Sequence, residues 1–133
     1  MSAESTDIPN KQKTILCIDD DKDTCDMIAT LLGLHNYQVV AAYSVNEGMK
    51  LSRQQDFDLI LIDFYFDSSN GVALCQYIRS FNKKIPIIFC SGESRQDRVN
   101  LALKSGAQDY LIKPLNSDAL VEKVAHYLST TQN

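Results

Sequence analysis

Five short apolar runs, at residues 14–18, 37–43, 59–62, 85–90 and 110–112, restrict this chain to very few folds. Most of them are near-continuous rather than alternating, the pattern of strands covered on both faces in a parallel sheet. The segments between them carry helical spacing instead. Ile28, Leu31 and Leu32 form one stripe, and Leu120, Val124, Tyr127 and Leu128 form another, at the i, i+4, i+7, i+8 spacing of a core-facing helix. Strict alternation of strand and helix over five units predicts a doubly wound α/β sheet with right-handed crossovers.

Local start signals agree with that pattern. Ser44 followed by Glu47 fits a capping box opening the second helix, and Ser94 followed by Asp97 is an acid-ended variant for the fourth. Asn116, just after Pro114, is a candidate cap for the last helix, and Asp67 and Asn70 suit the loop and start of the third. Gly71 and Gly106 punctuate the chain where loops meet helices. With 133 residues and no repeat or internal linker, the sequence predicts one domain over residues 13–129. A polar leader precedes it at 1–12, and a short tail follows at 130–133. The chain reads as a stand-alone protein rather than an excised domain.

Composition narrows the function. The net charge is 13 − 17 = −4, which offers no broad basic surface, so direct nucleic-acid binding is not expected. Cys17, Cys25, Cys75 and Cys90 contain no C-x-x-C pair, and Cys17 and Cys90 sit inside apolar runs as small hydrophobes. The first residues lack the apolar stretch of a signal peptide, and no apolar run approaches the ~20 residues that span a bilayer. The expected compartment is a reducing cytoplasm, with no membrane association.

The informative polar residues fall at strand ends. The first strand ends in Asp19-Asp20-Asp21, the third in Asp63, the fourth in Ser91-Gly92 and the fifth in Lys113-Pro114. The second ends in Tyr43-Ser44, without charge. Open α/β sheets bind ligands outside the carboxyl ends of their strands, where strand order reverses. With the order 2-1-3-4-5 the acidic cluster and Asp63 converge, Ser91 and Lys113 lie on neighbouring strands, and the uncharged strand becomes a distant edge. Crowded carboxylates need a cation. Hard oxygen ligands with room for water suit Mg²⁺, with Mn²⁺ as a substitute. A carboxylate is also a nucleophile toward phosphorus. A metal on one side, Lys113 on the other and the Ser91 hydroxyl at a third oxygen would compensate the charge of a transferring phosphoryl group.

The ordered set Asp19-Asp20, Asp63, Ser91 and Lys113-Pro114 resembles the signature of response-regulator receiver domains, over residues 13 to 128. The resemblance implies a flavodoxin-like (βα)₅ fold that is phosphorylated on Asp63. Asp19, Asp20, Asp63 and the Tyr65 carbonyl would hold Mg²⁺, and Ser91 and Lys113 would contact the phosphoryl group. Ser91 and Tyr110 would switch a protein-binding face made of the fourth helix, fifth strand and fifth helix. Implied partners are a histidine kinase or a histidine phosphotransfer protein, and a downstream protein target. Beyond its own phosphoryl transfer and slow dephosphorylation, turnover of an external substrate is not expected.

Some residues depart from the family pattern. The proline often found four residues past the acceptor is Asp67 here, and Phe64, Tyr65 and Phe66 between them are all aromatic. A Tyr65 side chain shielding the acyl phosphate from water is expected to lengthen its life. Tyr110 alone would also suit a core aromatic, His35 and His126 read as solvated, and Asp21 and Asp23 read as first-turn helix acids.

Three competing functions share parts of the pattern. Phosphatases of the haloacid-dehalogenase type carry their nucleophile in an early D-x-D motif, which Asp63-Phe64-Tyr65-Phe66 is not. A flavodoxin needs a Ser/Thr/Gly-rich loop after the first strand, where this chain is triply acidic. A pseudo-receiver that only binds protein would not need the complete acidic, acceptor, hydroxyl and lysine set.

Overall fold

A computed structural model describes residues 11–67 and 69–130. The elements alternate along the chain as β1 (Lys13–Ile18), α1 (Lys22–Gly33), β2 (Tyr37–Ala42), α2 (Val45–Gln54), β3 (Leu59–Ile62), α3 (Gly71–Arg79), β4 (Ile87–Ser91), α4 (Gln96–Lys104), β5 (Asp109–Ile112) and α5 (Ser117–Thr130). All pairings are parallel and the sheet order is β2-β1-β3-β4-β5, the flavodoxin-like topology. The proposed leader, apart from Lys11 and Gln12, and residues 131–133 of the proposed tail lie outside the described residues.

The near-continuous apolar runs arise because each strand fills two cores. Successive side chains of a strand face opposite sides. Leu16 and Ile18 join Ile60, Ile62, Ile87 and Phe89 beneath α2, α3 and α4. Ile15 and Cys17 join Leu59, Leu61, Ile88 and Cys90 beneath α1 and α5. The second face receives the predicted helical stripes, with Ile28, Leu32, Leu120, Val124 and Leu128 all buried. Each such Ile or Leu contributes roughly 1.5–3 kcal/mol relative to exposure. All four cysteines are free and buried within these cores.

Three of the proposed helix starts are built as expected. The Ser44 hydroxyl accepts from the Glu47 N–H at 3.1 Å, although the Glu47 carboxylate turns back to the Tyr43 N–H rather than that of Ser44. Asn70 caps α3 through the Ala73 N–H, and Asn116 caps α5 through the Ala119 N–H. The fourth differs. Helix α4 starts after Arg95 with no side-chain cap, and Ser94 is not its cap. The Glu93 carboxylate takes the Arg95 N–H at 2.9 Å and so organises the turn from two residues upstream.

Two glycines are required by their surroundings. A Cβ on Gly71 would lie 2.2 Å from the Asp63 carbonyl oxygen, so only glycine lets α3 begin directly behind the end of β3. Gly106 has φ +123°, and its carbonyl is gripped by Arg79 through Nε at 2.9 Å and Nη2 at 2.8 Å.

The ladder continues past the strand ends. Asp19 N donates to the Ala42 carbonyl, Asp63 N to that of Ile18, and Lys113 N to that of Ser91, at 2.8–3.0 Å. The main chain at three of the sequence-selected polar residues is therefore fixed by the sheet itself.

Candidate functional site

The switch point of the sheet lies between β1 and β3, and the residues just beyond those strands are Asp19 and Asp63. Carboxylate oxygens of Asp19, Asp20 and Asp63 all lie within 4.8 Å of one another. Asp21 and Asp23 are not in this cluster, and Asp21 is instead a helix-start acid whose carboxylate accepts from the Thr24 hydroxyl at 2.6 Å. That bond holds its carboxyl below the ordinary value.

Asp19 is buried, and both its oxygens are engaged. Its Oδ1 accepts from the Asp21 N–H at 2.9 Å, and its Oδ2 pairs with the Lys113 ammonium at 2.7 Å. Lys113, carried in from beyond β5, also stands 3.6 Å from Asp63 Oδ2. Asp63 Oδ1 accepts from the Phe64 N–H at 2.7 Å. Burial raises the Asp63 carboxyl above its ordinary value; the Lys113 charge opposes this and the Asp19 charge adds to it. For Lys113, burial alone would lower the ammonium, but the bond to Asp19 and the two carboxylate charges outweigh it. The base of the site thus holds more negative charge than one ammonium neutralises, and a hard divalent cation fits the donor set.

Ser91 is buried at the end of β4. Its Oγ accepts from the Glu93 N–H at 3.2 Å, and its hydroxyl bonds to the Asp63 carboxylate, which this bond helps to hold down against burial. Tyr110 lies on β5 with its ring stacked on Phe89, the planes 2° from parallel, and its hydroxyl donates to the Glu93 carbonyl at 2.7 Å. Cys90, in the core on the other face of the sheet from Tyr110, is pushed up to about 12 by burial and stays a thiol.

The aromatic stretch after Asp63 divides by burial. Phe64 turns into the core, whereas Tyr65 is about half exposed, and its hydroxyl donates to the Glu93 carboxylate. Glu93 and Arg95 were not singled out by the sequence. Their signal was positional: Glu93 stands two residues past Ser91, as Tyr65 stands two past Asp63, in the loops that follow neighbouring strands. His35 and His126 are both exposed, as expected, and His126 sits edge-on to Tyr127. Leu101 and Leu103 of α4 and Ile112 of β5 also remain exposed.

The family model described as the response regulator receiver domain matches residues 15–125. The chain belongs to that family. The transcriptional regulatory protein ZraR of Salmonella typhimurium is 37% identical over 118 residues, which are 89% of this chain and 27% of that protein. The nisin biosynthesis regulatory protein NisR of Lactococcus lactis is 33% identical over 110 residues, 83% of this chain and 48% of that one. The chain therefore spans only about a quarter to a half of the length of these relatives. Among solved structures, a two-component response regulator from Clostridium difficile superimposes with a TM-score of 0.88 at 32% identity, covering 92% of this chain and 100% of that one. A response regulator protein from Burkholderia pseudomallei, described with a phosphorylated aspartic acid, calcium ion and citrate, gives 0.80 at 26% identity, covering 91% and 71%.

Receiver domains are signalling modules that accept phosphoryl groups from histidine kinases and bind Mg²⁺ at an acidic cluster, which here is Asp19, Asp20 and Asp63. Among the described residues no helix is long and apolar enough to cross a membrane.

Proposed function

We propose that residues 13–129 form a phosphorylation switch in which Asp63 is the acceptor. The observation that carries this reading is the three-carboxylate cluster with Lys113 at 2.7 Å from Asp19 and 3.6 Å from Asp63. An Asp63 oxygen attacks the phosphorus of a phosphohistidine on a histidine kinase or histidine phosphotransfer protein. The new O–P bond forms as the P–N bond breaks, and the imidazole leaves as the neutral ring, keeping the proton already on its other nitrogen. Asp19, Asp20, Asp63 and the Tyr65 carbonyl would hold Mg²⁺, or Mn²⁺ in its place, and the ion would supply charge neutralisation for the transferring group. Lys113 shifts from Asp19 toward the phosphoryl oxygens, and Ser91 turns its hydroxyl hydrogen from the Asp63 carboxylate to another of them.

Ser91 and Tyr110 both bond to Glu93 in this structure, so a pull on the Ser91 hydroxyl is felt beside the Tyr110 hydroxyl. The output is a changed binding face on α4, β5 and α5, where Leu101, Leu103 and Ile112 offer exposed apolar contact to a downstream protein. The receiver domain itself works in the cytoplasm, contacts no nucleic acid and turns over no external substrate.

The test is intact mass after incubation with acetyl phosphate, with and without Mg²⁺, on the wild type and Asp63→Asn. One Mg²⁺-dependent phosphoryl adduct, absent from the variant, is expected. A folded wild-type protein that gains no adduct beside a labelled control receiver would overturn the reading.

A further inference from the structure

Outside the acidic cluster, one group of polar side chains bridges two loops at the carboxyl edge of the sheet. Strands β3 and β4 are paired in register at Ile62 and Phe89, so the chain leaves both of them side by side. Tyr65, in the loop after β3, donates its hydroxyl to Glu93 Oε1 in the loop after β4. Arg95 Nη2 reaches the same hydroxyl at 3.3 Å. Arg95 also holds the Glu93 carboxylate through Nε at 3.0 Å, Nη2 at 2.8 Å and its own N–H at 2.9 Å. The Glu93 side chain is only 8% exposed although the Arg95 side chain is 63% exposed, so its partners cover it.

The main chain of Glu93 faces the other way. Its N–H is held by the Ser91 hydroxyl and its carbonyl by the Tyr110 hydroxyl. One residue is therefore tied by its side chain to the loop after the acceptor and by its backbone to both groups beneath. No hydrogen bond joins Tyr65 to Tyr110 directly.

We infer that Glu93, gripped by Tyr65 and Arg95, is a positioning residue that links the loop after Asp63 to the hydroxyl of Tyr110. Its signalling role rests on Asp63 being the acceptor, but the link itself exists in the unmodified protein. A phosphoryl group on Asp63 crowds the loop that bears Tyr65. Any displacement of that hydroxyl pulls on Glu93, and through it on the carbonyl that holds Tyr110. The link adds a second route from acceptor to aromatic beside the one through Ser91.

Tyr65→Phe tests this cleanly, because it removes both bonds that cross between the loops and leaves the ring and the Arg95–Glu93 pair in place. In the full chain labelled with 3-fluorotyrosine, the Tyr110 fluorine resonance is identified by its loss in Tyr110→Phe. In the unmodified protein, Tyr65→Phe is expected to shift or broaden that resonance, and Glu93→Ala to do so further. An unchanged Tyr110 resonance in both variants, each shown to be folded by circular dichroism, overturns the link. Acetyl phosphate and Mg²⁺ are then added. A phosphorylated wild type should move the Tyr110 resonance, and phosphorylated Tyr65→Phe should move it less. Equal movement overturns transmission through Glu93. If the wild type gains no phosphoryl mass, the acceptor reading fails, and the measurement on the unmodified protein alone decides the link.

Discussion

The Lys113 ammonium and the Asp19 carboxylate meet at 2.7 Å, with the Asp19 side chain only 4% exposed, so one acid of the cluster is already neutralised by the protein. A buried charge that loses its partner is costly, and a cation entering the cluster takes over part of the role of the ammonium.

Lys113→Met should therefore lower stability without Mg²⁺ by about 1–3 kcal/mol, the cost of an unpaired buried group. Lys113 is partly exposed, which places the loss toward the lower end. Added Mg²⁺ should raise the melting temperature of the variant more than that of the wild type, because binding to the folded state stabilises it by mass action. Equal Mg²⁺ responses in the two proteins would show that Lys113 and the metal do not share Asp19.

Gly71→Ala tests how the acceptor is held. The added Cβ would meet the Asp63 carbonyl at 2.2 Å and the side chains of Ile62 and Phe89 at 2.8 and 2.9 Å. Overpacking of this kind costs about 1–3 kcal/mol. Urea denaturation should show the loss, and the rate of Asp63 phosphorylation should fall with it. A variant with wild-type stability would mean that the start of α3 yields freely.

Tyr65→Ala removes the exposed aromatic that stands two residues past the acceptor. Loss of phosphate from Asp63 should become several-fold faster as water gains access. A decay rate equal to that of the wild type would sink the shielding role.

The Asp109–Lys123 pair, at 2.9 Å, gives a pH signature remote from the acceptor. Burial would raise the Asp109 carboxyl, but the bonds from Lys123, the Tyr110 N–H and Tyr127 outweigh it and hold it below its ordinary value. A depressed carboxyl stabilises the fold above its unfolded pKa of about 3.9 and loses that contribution as pH falls through the folded value. Asp109→Asn should therefore cost about 0.5–1 kcal/mol at neutral pH, after allowance for solvent screening. The gap from the wild type should close in acid. Thermal melts at both pH values measure it, and a gap that widens in acid would reverse the assignment.

Strand identity was legible because parallel strands buried on both faces leave continuous apolar runs, and strands β1 and β3 are followed directly by acids with no apolar role. Asp19, Asp20, Asp63, Ser91 and Lys113 could thus be picked by position, once strand order was assumed. The Tyr65–Glu93 bond was not legible. It depends on which residues two loops present to each other, and no periodicity encodes that. The α4 cap was misread for a related reason: Ser94 has the right side chain, but the neighbouring Glu93 takes the amide that sets the turn. Glu93 is ordinary as a letter and informative only as a place.

The amides of Asp19, Asp63 and Lys113 donate into the same ladder that holds the strands. Such amides exchange with solvent only when the sheet itself comes apart, whereas bonds between loops can open locally at small cost. The molecule thus separates two kinds of durability. The backbones that carry the atoms proposed for chemistry are tied into the sheet, and the Tyr65–Glu93 and Tyr65–Arg95 bonds proposed to carry the signal join only loops. In a hydrogen-exchange experiment phosphorylation should leave protection at Asp19 and Asp63 at the global limit and redistribute it between the loops after β3 and β4.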